Sequence, residues 1–143
     1  MKTQNPDFEK KTREIFSKAP FIQHLGIQLE KCEGGFCSSR MKIKPEHLQQ
    51  DGVIHAGVLT SIADHTAGAC AGTLISENEI ILTSAFLVNL LRPGTEKEIE
   101  CHSKVLKAGK KLIVVESEVY GIPSKKMIIK ATVTLAVTKP LEH

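Results

Sequence analysis

Residues 49–74 constrain the fold of this chain more than any other stretch, because they contain a long run with almost no charge. Apolar residues recur in this run at helical spacing, and most other positions are glycine, alanine, serine or threonine. The apolar positions are Val58, Leu59, Ile62, Ala63, Ala67, Cys70, Ala71 and Leu74. A helix that is apolar or small on every side is a buried helix. The sequence therefore predicts a buried central helix over about residues 56–75.

Asp64 and His65 lie in the middle of this predicted helix. At about twenty residues the helix is long enough to span a membrane, but these two side chains and the many small residues argue against a span. A carboxylate in a dry environment costs several kcal/mol unless it is paired or used in function. Asp64 is therefore the first candidate for a functional residue, and pairing with His65 or with a neighbouring strand is the structural alternative.

The composition is that of an ordinary globular protein and excludes several classes. The chain has 143 residues, 41% of them hydrophobic and 24% charged, which suits one domain with a substantial core. A net charge of +3 and the lack of Trp argue against a surface for nucleic acid. The four cysteines and six histidines show no metal-ligand spacing, so we expect no metal and free thiols in a reducing compartment.

The two ends of the sequence are informative about localisation and about an expression tag. The N-terminus is polar and lacks the apolar run of a signal peptide, so we expect a cytoplasmic protein without a membrane anchor. Residues 141–143, Leu-Glu-His, are typical of the start of an expression tag. The predicted domain therefore covers residues 1–140.

The remaining elements follow from hydrophobic periodicity and from turn residues. An amphipathic helix is predicted over about residues 7–19, and Pro20 ends it. Six strands are predicted over about residues 26–31, 36–44, 81–92, 96–108, 110–121 and 127–139. The last four are long and separated by short turns, so we expect an antiparallel meander. A long antiparallel sheet wrapped around one apolar helix is an α+β arrangement.

Three blocks of the sequence, in this order, carry a family resemblance. They are residues 49–68, residues 82–94 and residues 107–121, reading QQDGVIHAGVLTSIADHTAG, LTSAFLVNLLRPG and KAGKKLIVVESEVYG. Together they resemble the acyl-CoA thioesterases of the hotdog fold, of the phenylacetate-degradation type. The resemblance implies a homodimer or homotetramer whose active sites lie between subunits. It also implies that coenzyme A is part of the substrate and that no other cofactor is needed.

The resemblance assigns a role to several residues of this chain. Asp64 matches the catalytic carboxylate, and the backbone N–H of Ala56 matches the donor to the thioester oxygen. Gln49 and His55 match the residues that orient the carbonyl and the start of the helix. Thr83 matches a hydroxyl that holds the attacking water and is expected to arrive from the facing subunit. The chain departs from the family in having Ala56-Gly57 where many members have Gly-Gly, and in combining Gln49 with Asp64.

Elementary chemistry supports these roles. The first turn of a helix offers unpaired N–H groups and a partial positive charge, so Ala56 and Gly57 can stabilise the oxyanion of a tetrahedral intermediate. An ordinary Asp is ionised at neutral pH, so Asp64 can act as general base or as nucleophile. Taken alone, His55 is as well explained by packing at the helix start, and Thr83 by strand formation.

Basic residues near the ends of the predicted strands are candidates for binding the phosphates of coenzyme A. They are Arg92, Lys107, Lys110 and Lys111. Cationic side chains suit phosphate, and the resemblance places phosphates at such loops. An ordinary solvated turn is the alternative for each of them.

Two other functions compete with thioester hydrolysis. A hydratase on the same fold usually has a Phe-Pro or Pro-Gly motif before the helix, and residues 49–57 lack it. A non-catalytic acyl-CoA sensor or oligomerisation module usually carries a DNA-binding segment, and the first 25 residues are too short and too weakly basic for one. The acyl group stays open between a medium aliphatic chain and an aryl group. A tetramer would cover the other face of the sheet.

Overall fold

The central helix and the strands around it dominate the structure, a computed structural model that describes residues 1–142. The helices are α1 (Phe8–Lys18), α2 (Pro20–Leu25) and α3 (Ala56–Gly72), and a short 3-10 turn covers Pro45–His47. The strands are β1 (Gln28–Glu33), β2 (Phe36–Lys42), β3 (Ile80–Leu90), β4 (Glu98–Ala108), β5 (Leu112–Ile122) and β6 (Met127–Thr138). The predicted tag remnant includes His143, which lies outside the described residues.

Helix α3 lies against all six strands of one antiparallel sheet. Every apolar position predicted from its sequence is buried. The expectation that the helix is enclosed on all sides is wrong, however. Its second face, which carries Asp64, His65, Gly68, Ala69 and Gly72, is only half-buried in one chain. That half-open face is where the fold leaves room for a ligand or for another protein surface.

The strand order is β1-β2-β4-β5-β6-β3, so the predicted four-strand meander is wrong. The antiparallel hairpins β4–β5 and β5–β6 form as expected, but β3 pairs with β6 and lies at the edge of the sheet. The chain between Leu90 and Glu98 is not a tight turn. It crosses in front of α3, where the N–H of Ile54 donates to the carbonyl of Gly94 at 2.9 Å.

Gly94 is required where this connection meets the segment before α3. A Cβ atom at that position would lie 2.9 Å from Cδ1 of Ile54, closer than two such atoms can approach. The connection therefore packs against the start of α3 instead of folding back beside β3. Sequence order and turn residues do not reveal this crossing, because Pro93-Gly94 is equally typical of a hairpin turn.

A short second helix, α2, was not predicted from the sequence. Pro20 ends α1 and also occupies the first turn of α2, a position that needs no backbone donor. Gly26 closes α2 in a left-handed conformation with φ +83°. β1 consequently starts at Gln28, two residues later than expected.

The outer face of the sheet is polar and held by ion pairs. Arg40 contacts the carboxylates of Glu30, Glu98 and Glu100 at 3.1, 3.0 and 2.8 Å. On β6, Lys130 lies 3.5 Å from carboxylate oxygens on β5. Such a face tolerates water, so this part of the sheet needs no apolar cover. None of the helices within residues 1–142 has the length and apolar character to cross a membrane.

Candidate active site

Asp64 and Thr83 meet at the half-open face of α3. The Thr83 hydroxyl donates a hydrogen bond of 2.7 Å to Oδ1 of Asp64, and both residues belong to the same chain. The expectation that Thr83 reaches Asp64 from a facing subunit is therefore wrong. The contact forms within one chain because β3 lies beside α3 as the edge strand.

A bulge in β3 accompanies this contact. Opposite β6, Thr83 pairs with Leu135 and Ala85 pairs with Thr134, so Ser84 is an extra residue. An extra residue bends a strand locally and changes the direction in which its side chains point. The bulge directly follows Thr83, at the point where the strand passes Asp64. Nothing in the sequence LTSAF indicates it.

The Asp64 carboxylate has no cationic partner within residues 1–142. His65 points away from it, because Nε2 of His65 lies 3.2 Å from the carbonyl oxygen of Phe16. The side-chain rings of His65 and Phe16 also pack together, with centroids 4.4 Å apart. Burial lowers the pKa of His65, and it outweighs the opposing effects of the Phe16 carbonyl and the Asp64 charge. Pairing of Asp64 with His65 is thus not what holds the carboxylate.

The start of α3 is capped by a histidine side chain. Nδ1 of His55 accepts a hydrogen bond of 2.8 Å from the N–H of Gly57. A Cβ atom at Gly57 would lie 2.9 Å from that same nitrogen, so a side chain there would force the His55 ring to shift. The N–H of Gly57 is therefore occupied, which corrects the expectation that it serves a substrate oxygen.

Ala56 keeps a free donor at the same helix start. Its N–H meets no acceptor within residues 1–142. After Gly57, the N–H groups of Val58 and Leu59 both lie within hydrogen-bond distance of the His55 carbonyl. Gln49 is half-buried nearby, and its side-chain amide donates to Asp51 at 3.2 Å. One unpaired N–H at the positive end of a helix is suited to stabilising an oxyanion.

His47 is a positioning residue that sequence reasoning missed. It is 2% exposed, and its carbonyl accepts the N–H of His55 at 2.9 Å, which fixes the residue that caps α3. Its Nδ1 accepts from the N–H of Lys44, and burial lowers the pKa of its ring. Pro45, two residues earlier, is the one sequence signal that this segment forms a fixed turn.

The two halves of the candidate site lie far apart in one chain. Ala56 and Asp64 are eight residues apart on α3, which corresponds to about 12 Å along the helix axis. One carbonyl group cannot touch both at the same time. Each chain therefore carries a donor at the helix start and a carboxylate two turns later, too far apart to act on one carbonyl group.

An apolar pocket of about 220 Å³ begins at Asp64 and Thr83. It lies between α1, α3 and β3, and Ile15 and Phe16 of α1 form part of its wall. The N-terminal helix therefore covers a pocket as well as the core. A carboxylate at the mouth of an apolar pocket is typical of an enzyme site.

The four basic residues predicted to bind the phosphates of coenzyme A do not lie together within one chain. Arg92 lines a cavity of about 350 Å³ beside Gln49 and Ala56, and its Nε donates to the carbonyl of Met127 at 2.9 Å. Lys107 and Lys110 line a separate cavity of about 780 Å³ at the opposite end of α3. Lys111 is exposed next to them on the β4–β5 hairpin.

Metal and thiol chemistry find no support in the part of the chain that the structure describes. Within it, no three His, Cys, Asp or Glu side chains are grouped so that they could hold a metal ion. The four cysteines are free and buried. Burial raises the pKa of the Cys101 thiol to about 11, so that thiol is not a nucleophile at neutral pH.

Comparison with known proteins identifies what this arrangement is similar to. Residues 51–128 match the model of the thioesterase superfamily. The chain is 29% identical over 133 residues to the medium/long-chain acyl-CoA thioesterase YigI of Escherichia coli K12, covering 82% of this chain and 85% of that protein. The crystal structure of a thioesterase family protein from Silicibacter pomeroyi superimposes with a TM-score of 0.89 and 27% identity, over 93% of this chain and 99% of that one.

The PaaI protein from the phenylacetic acid degradation operon of E. coli shares the fold. It has a TM-score of 0.81 and 20% identity, with 94% of each chain covered. The expected α+β hotdog fold, with a long antiparallel sheet around one central helix, is confirmed.

Proposed function

The chain belongs to the thioesterase superfamily and is a thioester hydrolase, and we propose that its substrates are acyl-CoA thioesters. The products are then a free acid and coenzyme A. The observation that carries this proposal is the Asp64 carboxylate, held by Thr83 at the mouth of an apolar pocket and free of any cationic partner within residues 1–142. The acyl-CoA thioesterase activity named for the E. coli relative supports coenzyme A as the carrier.

The proposed reaction starts at Asp64. Its Oδ1 is held by Thr83, and Oδ2 accepts the proton of a water molecule that attacks the thioester carbon. The carbonyl oxygen becomes an oxyanion, the C–S bond then breaks, and the proton passes to the departing thiolate. Direct attack by the carboxylate is the alternative first step, and it would give an anhydride that water hydrolyses. Neither route needs a metal or a further cofactor.

The oxyanion donor in this proposal is the Ala56 N–H of a second copy of the chain. One donor of this kind contributes about 3 to 4 kcal/mol to the transition state. Since Nδ1 of His55 accepts from Gly57, a neutral His55 ring carries its proton on Nε2, where it can donate to the same oxygen. Gln49 lines the same cavity as Ala56, and in this proposal it orients the substrate carbonyl.

A twofold arrangement of two chains would complete both sites. If two α3 helices run antiparallel and cross near Thr60, the Ala56 of each copy lies beside the Asp64 of the other. The surfaces available for this contact are the half-buried residues of α3 near the crossing point, Thr60, Ser61 and Asp64, and the edge strand β3, on which Phe86 is 51% and Leu87 66% exposed. A dimer is the smallest assembly that completes the site. The ion-paired outer face gives no apolar reason for a tetramer.

The same arrangement would bring the basic candidates together. In an antiparallel pair, the helix start of one copy lies near the helix end of the other. Arg92 of one chain then shares an end of the dimer with Lys107, Lys110 and Lys111 of its partner, and we propose that they hold the phosphates of coenzyme A. The free thiols support a reducing compartment, and we propose the cytoplasm.

The first experiment measures thiol release from a panel of aliphatic and aryl acyl-CoA substrates, with wild-type protein and Asp64→Asn side by side. We expect Asp64→Asn to lower kcat by about 100- to 10,000-fold, since loss of a general base costs this much. Thermal unfolding and sedimentation should show the variant folded and in the same oligomeric state. Wild-type turnover in the Asn variant would exclude Asp64 as base or nucleophile, and no release from any substrate would favour an acyl-CoA-binding module.

A further inference from the structure

A groove leads away from Asp64 along α3. Asp64, Gly68 and Gly72 follow one another at intervals of four residues, so they lie along one side of the helix. The missing side chains leave open space: a Cβ atom at Gly68 would meet only Leu135, at 3.9 Å, and one at Gly72 would meet nothing within 4 Å. The helix surface beyond the carboxylate is therefore the floor of a channel.

The walls of this channel are apolar and come from two other elements. Helix α1 contributes Ile15 and Phe16, and β3 contributes Ile80 and Ile81. The contact between His65 and the Phe16 carbonyl, at 3.2 Å, ties α1 to α3 beside the channel. A ligand in the channel is thus removed from water on three sides.

The channel is long. The distance from Asp64 to Gly72 is about 12 Å along the helix axis. An extended chain covers about 3.5 Å for every three bonds, so about ten carbon atoms fit in this length. The pocket volume is about 220 Å³. A single aromatic ring is shorter than the channel and would leave its far part unfilled, so the length favours a linear chain.

Charged residues that are already satisfied line the far end of the channel. The Lys11 ammonium donates to the carbonyl of Glu77, and the Glu79 carboxylate accepts the N–H of Ser76 at 3.0 Å. Both Lys11 and Glu79 line the pocket, together with Ile75. A methylene group that reaches them gains no further apolar contact, so burial stops there.

We propose that this channel holds the acyl chain of the substrate, that the enzyme prefers linear aliphatic acyl groups of about eight to ten carbons, and that Gly72 keeps the far part of the channel open because it lacks a side chain. The inference rests on the proposed function and adds the substrate class and a specificity-determining residue to it. Gly72 is the last residue of α3 and does not have positive φ, so other residues fit its backbone conformation.

The test compares kcat/KM for straight-chain acyl-CoA substrates of increasing length and for phenylacetyl-CoA, in wild type, Gly72→Ala and Gly72→Leu. In the wild type we expect about a fourfold gain per methylene up to about ten carbons and then a decline. Gly72→Leu should shorten the preferred chain by about four carbons, lower kcat/KM for ten-carbon substrates by at least about tenfold and leave the shortest substrates unchanged. Gly72→Ala should shorten it by about one carbon.

Each outcome is decisive. Gly72 occupies a helical position, where Ala and Leu are better helix formers than glycine, so both variants should melt no lower than the wild type. An unchanged length profile in a folded Gly72→Leu, or a preference of the wild type for phenylacetyl-CoA, overturns the channel assignment while leaving acyl-CoA hydrolysis intact. Absence of thiol release from every substrate overturns the proposed function and this inference with it. If Gly72→Leu fails to fold, an unchanged profile in Gly72→Ala overturns the assignment instead.

Discussion

The start and the middle of α3 are built in different ways. The start is exposed at His55 and Gly57, and a local loop holds it through the His47 carbonyl and the His55 cap. The middle is half-buried at Asp64 and is held by Thr83, a residue from a strand at the edge of the sheet. The start is therefore capped by contacts close in sequence, although the Gly94 connection also packs against it, and the middle depends on the strand order.

This difference matters for the proposed shared site. A straight helix keeps Ala56 and Asp64 about 12 Å apart, whatever surrounds them. The donor lies on one exposed end of the helix, and the carboxylate opens into the pocket under α1. In the proposed dimer, each of these half-sites is completed by the other half-site of a second chain.

After Asp64→Asn, the largest expected effect comes from removing the donor at the helix start. Ala56 is the first residue of α3, and His55 before it has φ −61° and ψ 136°, a conformation compatible with a following proline. Ala56→Pro should therefore remove the free N–H with little effect on folding and lower kcat by about 100- to 1,000-fold. The control is an unchanged melting temperature.

Mixing this variant with Asp64→Asn then tests whether the site is shared. In a mixed dimer, the intact Asp64 of one chain faces the intact Ala56 of the other. Co-refolding the two inactive variants should restore about one quarter of the wild-type activity, because about half of the dimers are mixed and half of their sites are intact. Activity that stays at the level of the separate variants would mean that both residues act within one chain.

A smaller effect is expected from Thr83. Thr83→Val keeps the shape of the side chain and removes the hydrogen bond to Asp64, so kcat should fall about tenfold to a hundredfold, or about 1.4 to 2.7 kcal/mol. Thr83→Ser keeps the hydroxyl and should stay close to the wild type. Equal activity of the Val and Ser variants would make Thr83 only a strand residue.

The smallest effect concerns His65, which ties α1 to α3. Its pKa in the folded state is lowered, chiefly by burial, below the value of about 6.5 for an unfolded chain. The unfolded state then binds more protons, so the stabilising effect is complete above about pH 6.5 and is lost as the pH falls below it. Urea unfolding at pH 7.5 and 5.5 should show a smaller pH-dependent loss in His65→Gln than in the wild type. Equal losses of stability in the two proteins would show that His65 does not contribute to the pH dependence of stability.

Local patterns predicted the elements well and their arrangement less well. The apolar spacing in residues 56–75 predicted the central helix and its buried apolar positions, although α3 ends at Gly72 and the buried Thr66 was not predicted. The predicted first and last residues of the six strands lie within two residues of the observed ones. The neighbour of β3 was missed, because a turn signal such as Pro93-Gly94 does not say whether the next strand pairs with the one before it.

The candidate site shows the same division. Asp64 could be singled out because a carboxylate inside an uncharged helix is conspicuous in any context. The occupied N–H of Gly57 could not be predicted, since it depends on the rotamer of His55. The role of His47 could not be predicted either, because a role played through a backbone carbonyl leaves no mark in the identity of the side chain.

The sequence by itself determined that one uncharged helix forms the core and that Asp64 is its one acidic residue. Periodicity and charge act over a few neighbouring residues, and they are written directly in the chain. Only the tertiary structure decided that β3 lies at the edge, that a bulge follows Thr83 where it meets Asp64, and that Gly68 and Gly72 open a channel. These features depend on which surfaces come together across long sequence separations, and such contacts form only when the sheet closes around the helix.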